Sequence, residues 1–108
     1  MKLESEAYTG LTTWKAVYRQ VFKHLAAKNK SNFSKLDQSE EMISRRGNAY
    51  VSKNKDAVRQ AMSIGSGLYA EVNLSANLIR DSIARLLDEF SIPHSEITFY
   101  LREDRDAE

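Results

Sequence analysis

The sharpest hydrophobic pattern in the chain lies between residues 75 and 90, where apolar side chains recur at intervals of three and four. These apolar positions are Ala76, Ile79, Ile83, Leu86, Leu87 and Phe90. Charged residues fill the positions between them, as is typical of an amphipathic helix with one buried face. Ser75 is a suitable N-cap, and Leu74 before it can pack back onto the first turns. We therefore predict a helix that begins after Ser75 and ends before Pro93.

A second stripe of the same kind predicts a helix over residues 12–28. Its apolar members are Leu11, Trp14, Val17, Tyr18, Val21, Phe22 and Leu25. Thr9 or Thr12 is the candidate N-cap. The polar run that starts at Asn29 predicts the end of this helix and a following loop. Residues 1–8 precede the stripe and are expected to be a frayed lead-in.

The middle of the chain gives shorter signals. Asp37-Gln38-Ser39-Glu40 has the form of a capping box and predicts a short helix over residues 38–46, closed by Gly47. Residues 48–52 have strand composition, and residues 53–64 return to helical spacing. Gly65-Ser66-Gly67 is the strongest break in the chain and is interpreted as the stop of that helix.

After this break, residues 68–73 alternate between apolar and polar positions, although they also fit an unbroken extension of the helix that follows. We interpret them as a strand. Residues 97–101 predict a second clear strand, and residues 102–108 a disordered tail. The resulting fold class is α+β, with two N-terminal helices followed by a small β-α-β-α-β layer in a single domain over residues 1–108. If the strands at 48–52 and 68–73 are wrong, the pattern becomes a mostly helical bundle with one C-terminal strand.

Composition says more about the cellular compartment of this protein than about its function. The 108 residues include no cysteine, so neither a disulfide framework nor a thiolate metal site can form. The first residues contain no apolar signal-peptide core, and no later run approaches the ~20 apolar residues that cross a bilayer. We expect a cytoplasmic protein that does not enter a membrane.

Charge is distributed unevenly behind a net charge of +1. Residues 1–36 carry seven Lys or Arg against two Glu, whereas residues 61–108 carry four Lys or Arg against nine Asp or Glu. The candidate contacts for nucleic acid or an acidic partner are Lys15, Arg19, Lys23, Lys28, Lys30, Lys35, Arg45 and Arg46. Such stripes neutralise phosphates, but they equally form an ordinary solvated surface or meet the acidic half of the chain.

Trp14, Tyr18 and Phe22 give the first helix a large aromatic face. This face either belongs to the core or forms an interface with a protein partner or a second copy of the chain. We name these three residues as the candidate protein interface.

The sequence offers little catalytic chemistry. His24 and His94 each lack a second ligand at metal spacing, and the glycine-rich break lacks the Lys-Ser/Thr of a phosphate loop. We predict no catalytic residue, no cofactor and no metal. The expected function is that of a non-enzymatic interaction or regulatory module that binds a protein partner or itself, and the alternative is a nucleic-acid-binding regulator that uses the basic N-terminal half.

Residues 73–83 resemble the second helix of ribbon-helix-helix regulators, in which Gly-x-Ser-x-Ser precedes Ile-Arg and a further apolar residue. Here Ser75 precedes Ile79-Arg80, one residue closer than in that pattern, and Ile83 supplies the apolar position. The resemblance covers about a tenth of the chain. It implies a DNA-contacting ribbon at residues 49–53 and a first helix that Gly65-Ser66-Gly67 would interrupt.

Overall fold

A computed structural model describes residues 1–39, Met42 and residues 49–99, and it combines helices with two small antiparallel sheets in an α+β fold. The helices are α1 (Trp14–Lys28), α2 (Lys30–Phe33) and α3 (Ala76–Glu89). The strands are β1 (Lys2–Leu3), β2 (Glu6–Ala7), β3 (Val51–Ser52), β4 (Ala61–Gly65), β5 (Leu68–Glu71) and β6 (Ile97–Thr98).

Helix α1 confirms the prediction over residues 12–28, with a different cap. The Thr13 hydroxyl accepts a hydrogen bond from the amide of Ala16 at 3.0 Å, so Thr13 takes the role assigned to Thr9 or Thr12. Asn29 closes α1 and at the same time caps α2, where its side chain accepts from the amide of Asn32. The segment predicted as a loop therefore contains a short helix.

Helix α3 forms where the sharpest stripe predicts it. The Ser75 hydroxyl caps its first turn by accepting from the amide of Leu78 at 3.2 Å. At the other end Ser91 adopts a left-handed conformation with φ of 56°, and the amide of Ile92 bonds the carbonyl of Leu87 at 2.8 Å. The helix thus ends at Glu89 through its own C-terminal hydrogen bonds, four residues before Pro93 could stop it.

The first eight residues are not a frayed lead-in. Strand β1 pairs with β2 on one side and with β6 on the other, which gives the order β2-β1-β6. Leu3 is fully buried, and the amide of Tyr8 bonds the carbonyl of Met1 at 2.7 Å. The prediction was wrong because the partner that orders β1 lies at the far end of the chain.

The helix predicted over residues 53–64 is also wrong. Residues 61–65 form β4, the first strand of a hairpin with β5, and the sheet order is β3-β5-β4. Gly65, Ser66 and Gly67 all have positive φ and form the hairpin turn instead of a helix stop. Met62 and Ile64 are buried while Ala61 and Ser63 are exposed, which is the alternation of a strand.

The strand predictions agree better with the structure, and the observed strands exclude a mostly helical bundle. Strand β5 occupies residues 68–71 of the strand predicted over residues 68–73, and β3 falls within residues 48–52. Strand β6 covers only the first two residues of the strand predicted at 97–101, since Phe99 lies outside it. The predicted β-α-β-α-β order is not found, because β4 stands where its first helix was expected. Since β3 pairs with β5 of the same chain, residues 49–53 are not the free ribbon that the ribbon-helix-helix resemblance implies.

The predicted start of the helix over residues 38–46 is wrong. Residues 36–38 form a 3-10 turn, and Ser39 after it is extended with ψ of 131°. Asp37 therefore lies inside a turn and is not the N-cap of a helix. The remainder of this prediction, like that of the tail over residues 102–108, lies outside the described residues.

Helices α1 and α3 pack against each other and share one core with the β3-β5-β4 sheet. Trp14 contacts Arg80 near the start of both helices, and farther along the Tyr18 hydroxyl bonds the Ser82 hydroxyl at 2.6 Å. The stripe residues Ile79, Ile83, Leu86, Leu87 and Phe90 are all buried, while Ala76 is exposed. This packing directs the opposite side of α1 outward.

Candidate interaction face on helix α1

Three cations lie on the outward side of α1. Lys15, Arg19 and Lys23 are all exposed and follow one another at intervals of four residues. A rise of about 1.5 Å per residue separates successive members by about 6 Å along the helix axis. Among the described residues, no carboxylate lies within ion-pair distance of any of the three. We call these three residues the basic stripe.

The other predicted basic contacts are not equivalent to the stripe. Lys28 is engaged by Glu4, whose Oε2 atom lies 2.9 Å from its Nζ atom. Lys30 and Lys35 are exposed but lie beyond α1, on and after α2. Arg45 and Arg46 lie outside the described residues.

Two of the three residues of the predicted protein interface are buried in the core of this fold. Tyr18 and Phe22 are fully buried, because their side of α1 faces α3 and the sheet. Trp14 is half-buried, with its ring 5.1 Å from that of Phe99 and the guanidinium of Arg80 5.1 Å from its centre. The aromatic face predicted as an interface is therefore largely core, which was the other interpretation open from the sequence.

A groove of about 520 Å³ runs beside the end of the stripe, between α1 and the β1-β2 hairpin. It is lined by Glu4, Ser5, Glu6, Tyr8, Gln20, Lys23, His24, Ala27 and Lys28. Lys23 belongs both to the stripe and to the groove. Glu4 has a left-handed backbone with φ of 55°, which turns the hairpin.

A hydrogen-bonded network holds the hairpin against α1 at this groove. The Tyr8 hydroxyl lies 2.6 Å from His24 Nδ1, and His24 Nε2 lies 2.8 Å from Glu4 Oε1. One tautomer of His24, with the proton on Nε2, donates to Glu4 and accepts from Tyr8. The His24 side chain is only 9% exposed, so this link is mostly shielded from water.

The order of hydroxyl, imidazole and carboxylate is also that of a nucleophilic triad, but its electrostatics oppose that chemistry. Burial raises the pKa of the Tyr8 phenol, and the neighbouring Glu6 and Glu4 raise it further. Hydrogen bonds from His24 and Lys28 hold the pKa of Glu4 below its ordinary value. The phenol stays protonated beside an ionised carboxylate, which suits a fixed structural link.

Sequence reasoning found the cations and missed this network. Tyr8 and Glu4 lie in the segment expected to be frayed, and nothing in their spacing connects them with His24. The hairpin that carries them is ordered by the pairing of β1 with β6, which joins residues far apart in the chain.

Two further features are absent from the part of the chain that the structure describes. No helix there is long and apolar enough to cross a membrane. No group of three or more His, Cys, Asp or Glu side chains there could hold a metal ion.

Comparison with known proteins identifies no family for this chain: no family model, curated protein or solved structure matches it.

Proposed function

We propose that this protein is a non-enzymatic cytosolic interaction module that binds an acidic protein partner through the basic stripe Lys15, Arg19 and Lys23. The observation that carries the proposal is that these exposed cations have no carboxylate partner within the described residues. An acidic partner supplies the missing charges. Because α1 is held by its buried face, the cations are displayed at fixed spacing.

The surroundings of the stripe favour a protein over nucleic acid. Glu4 and Glu6 line the groove next to Lys23, so a continuous phosphate backbone that follows the stripe meets negative charge there. The aromatic rings of α1 are poorly placed to stack on bases, since Tyr18 and Phe22 are buried and the half-buried Trp14 already contacts Arg80 and Phe99. A protein ligand can place its carboxylates beside the stripe and avoid this region.

Nucleic acid is the second candidate partner, because the same three cations can contact the phosphates of a strand that lies along α1. The exposed residues Lys30 and Lys35 lie beyond them. This function makes a distinct quantitative prediction. Three phosphate contacts give a slope of about −3 in a plot of log affinity against log salt concentration.

Anisotropy titrations test both candidates, with a glutamate-rich peptide and a mixed-sequence DNA duplex as probes. The wild-type protein is expected to bind the peptide, and the Lys15→Glu/Arg19→Glu/Lys23→Glu variant to lose at least about tenfold in affinity, because like charges then face each other. A matched control, Lys2→Glu/Lys53→Glu/Lys55→Glu, makes the same change in net charge at exposed positions elsewhere and is expected to bind like the wild type.

Binding of the peptide by the stripe variant with wild-type affinity contradicts the proposal, as does failure of the wild type to bind the peptide at low salt. If the duplex binds tightly with the steep salt dependence and the peptide binds weakly, the nucleic-acid function replaces the proposed one.

A further inference from the structure

Strand β4 is the longest edge strand of the described sheets. The two sheets have the edge strands β2, β6, β3 and β4, of which β4 has five residues and the other three have two each. An edge strand presents unpaired backbone amides and carbonyls, to which another strand can pair. Among the described residues, no strand occupies the outer side of β4.

The register identifies which backbone groups face outward. The amide of Val72 bonds the carbonyl of Gln60, and the pairing continues with Ala61 opposite Glu71 and Met62 opposite Ala70. Because hydrogen-bonded and non-hydrogen-bonded pairs alternate in an antiparallel ladder, the backbone groups of Ala61 and Ser63 point away from β5. These two residues also have exposed side chains.

Strand β4 lacks two of the residue types that commonly protect a sheet edge from pairing, lysine and proline. No residue from Gln60 to Ala70 is charged or is a proline, and this is the longest uncharged stretch in the chain. Other proteins place lysine or proline at such edges to prevent association. A break in register between Ser63 and Gly65 shortens the regular part of the edge, so pairing there involves few residues.

We propose that two copies of this chain associate weakly by antiparallel pairing of their β4 strands about a twofold axis at Ser63. The strand is self-complementary in this arrangement, since Ala61 lies opposite Gly65 of the other copy and Met62 opposite Ile64. Small exposed residues face small ones, and apolar residues face apolar ones. The same register places each Arg59 opposite the uncharged turn at Gly67, whereas parallel pairing brings Arg59 against Arg59.

The β4 edge and the basic stripe use different residues, although α1 and β4 are neighbours in the fold. The stripe lies on the outward side of α1, and the proposed contact uses a sheet edge. The stripe variant described above is therefore expected to self-associate like the wild type, so failure of one proposal leaves the other standing.

Sedimentation velocity over a wide concentration series tests the pairing. The wild type is expected to show concentration-dependent self-association. Ser63→Lys and Ser63→Asp each place two like charges at the axis and are expected to weaken the dimer by about tenfold or more, since like charges that face each other at an interface repel. An equimolar mixture of the two variants is expected to restore association, because Lys then faces Asp.

Ser95→Lys is the matched control, since Ser95 is exposed and lies outside β4. It is expected to behave like the wild type. A wild type that stays monomeric throughout the series overturns the proposal, and so does a Ser63→Lys variant that associates as strongly as the wild type. Recovery in the mixture also shows that the variants are folded, which separates a lost contact from a lost fold.

Discussion

Glu71 is a carboxylate buried in the sheet core, with 8% of its surface exposed. Its two oxygens accept hydrogen bonds from the amides of Arg59, Gln60 and Asn73 at 2.6, 3.1 and 2.9 Å. A buried charge is costly unless it is fully hydrogen-bonded, and these three donors meet that condition. The side chain thereby fixes the segment between β3 and β4 to the end of β5.

We predict that Glu71→Gln lowers the free energy of unfolding by about 1–3 kcal/mol, because the amide group of Gln can replace only part of this acceptor set and leaves a buried amide unpaired. Urea denaturation at neutral pH measures the loss, and hydrogen exchange is expected to accelerate at Arg59, Gln60 and Asn73. Glu6→Gln, at an exposed position, is the control. Equal stability of Glu71→Gln and the wild type contradicts the assigned role.

Helix α3 holds the fold together through its buried stripe. Ile79, Ile83 and Leu86 are at most 3% exposed, and they belong to the hydrophobic core that also contains residues of α1 and of the β3-β5-β4 sheet. The polar side is more than solvated surface, since Arg80 lies over Trp14 and Arg85 pairs with Asp81 at 3.0 Å. The two sides of the helix should therefore differ in their sensitivity to substitution by alanine.

Ile83→Ala is expected to cost about 2–5 kcal/mol, a large share of the stability of a small domain, because it removes buried contacts and leaves a cavity. Arg80→Ala is expected to cost only about 0.5–1 kcal/mol through loss of the stacked contact with Trp14. Asn77→Ala, at an exposed position, should stay within about 0.5 kcal/mol of the wild type. Thermal and urea unfolding rank the three, and a harmless Ile83→Ala contradicts the assigned burial.

The N-terminal hairpin is joined to the remainder of the fold by charge as well as by β1-β6 pairing. Glu4 accepts from His24 and Lys28, and these bonds hold its pKa below the ordinary value of 4.5. A carboxyl group with a depressed pKa contributes stability that is complete above its unfolded-state pKa. That contribution disappears as the pH falls through the lower, folded-state pKa.

We predict that Glu4→Gln is less stable than the wild type at pH values above 4.5, and that this difference closes as the pH falls below 4.5. Urea unfolding curves of both proteins across this range provide the measurement. Glu6→Gln controls for the general loss of a negative charge, since no ion pair of Glu6 is found within the described residues. A difference that does not change with pH contradicts the linkage to Glu4 ionisation.

Helices α1 and α3 could be predicted from the sequence because their information is local. An apolar stripe at helical spacing and a cap such as Ser75 lie within one continuous segment. The same reasoning identified β5 and the cations of the basic stripe. It also left open whether Tyr18 and Phe22 were core, which only the packing against α3 could decide.

The parts that were mispredicted depend on contacts between distant residues. Residues 53–64 have helical spacing, but residues 61–64 belong to β4, which pairs with β5. The hairpin is favoured because it buries Met62 and Ile64 and supplies hydrogen-bond partners for their backbone groups. Lys2 pairs with Thr98, so the order of the first residues depends on the other end of the chain. The Tyr8-His24-Glu4 network follows from that pairing, and the tertiary structure alone places its members within hydrogen-bond distance.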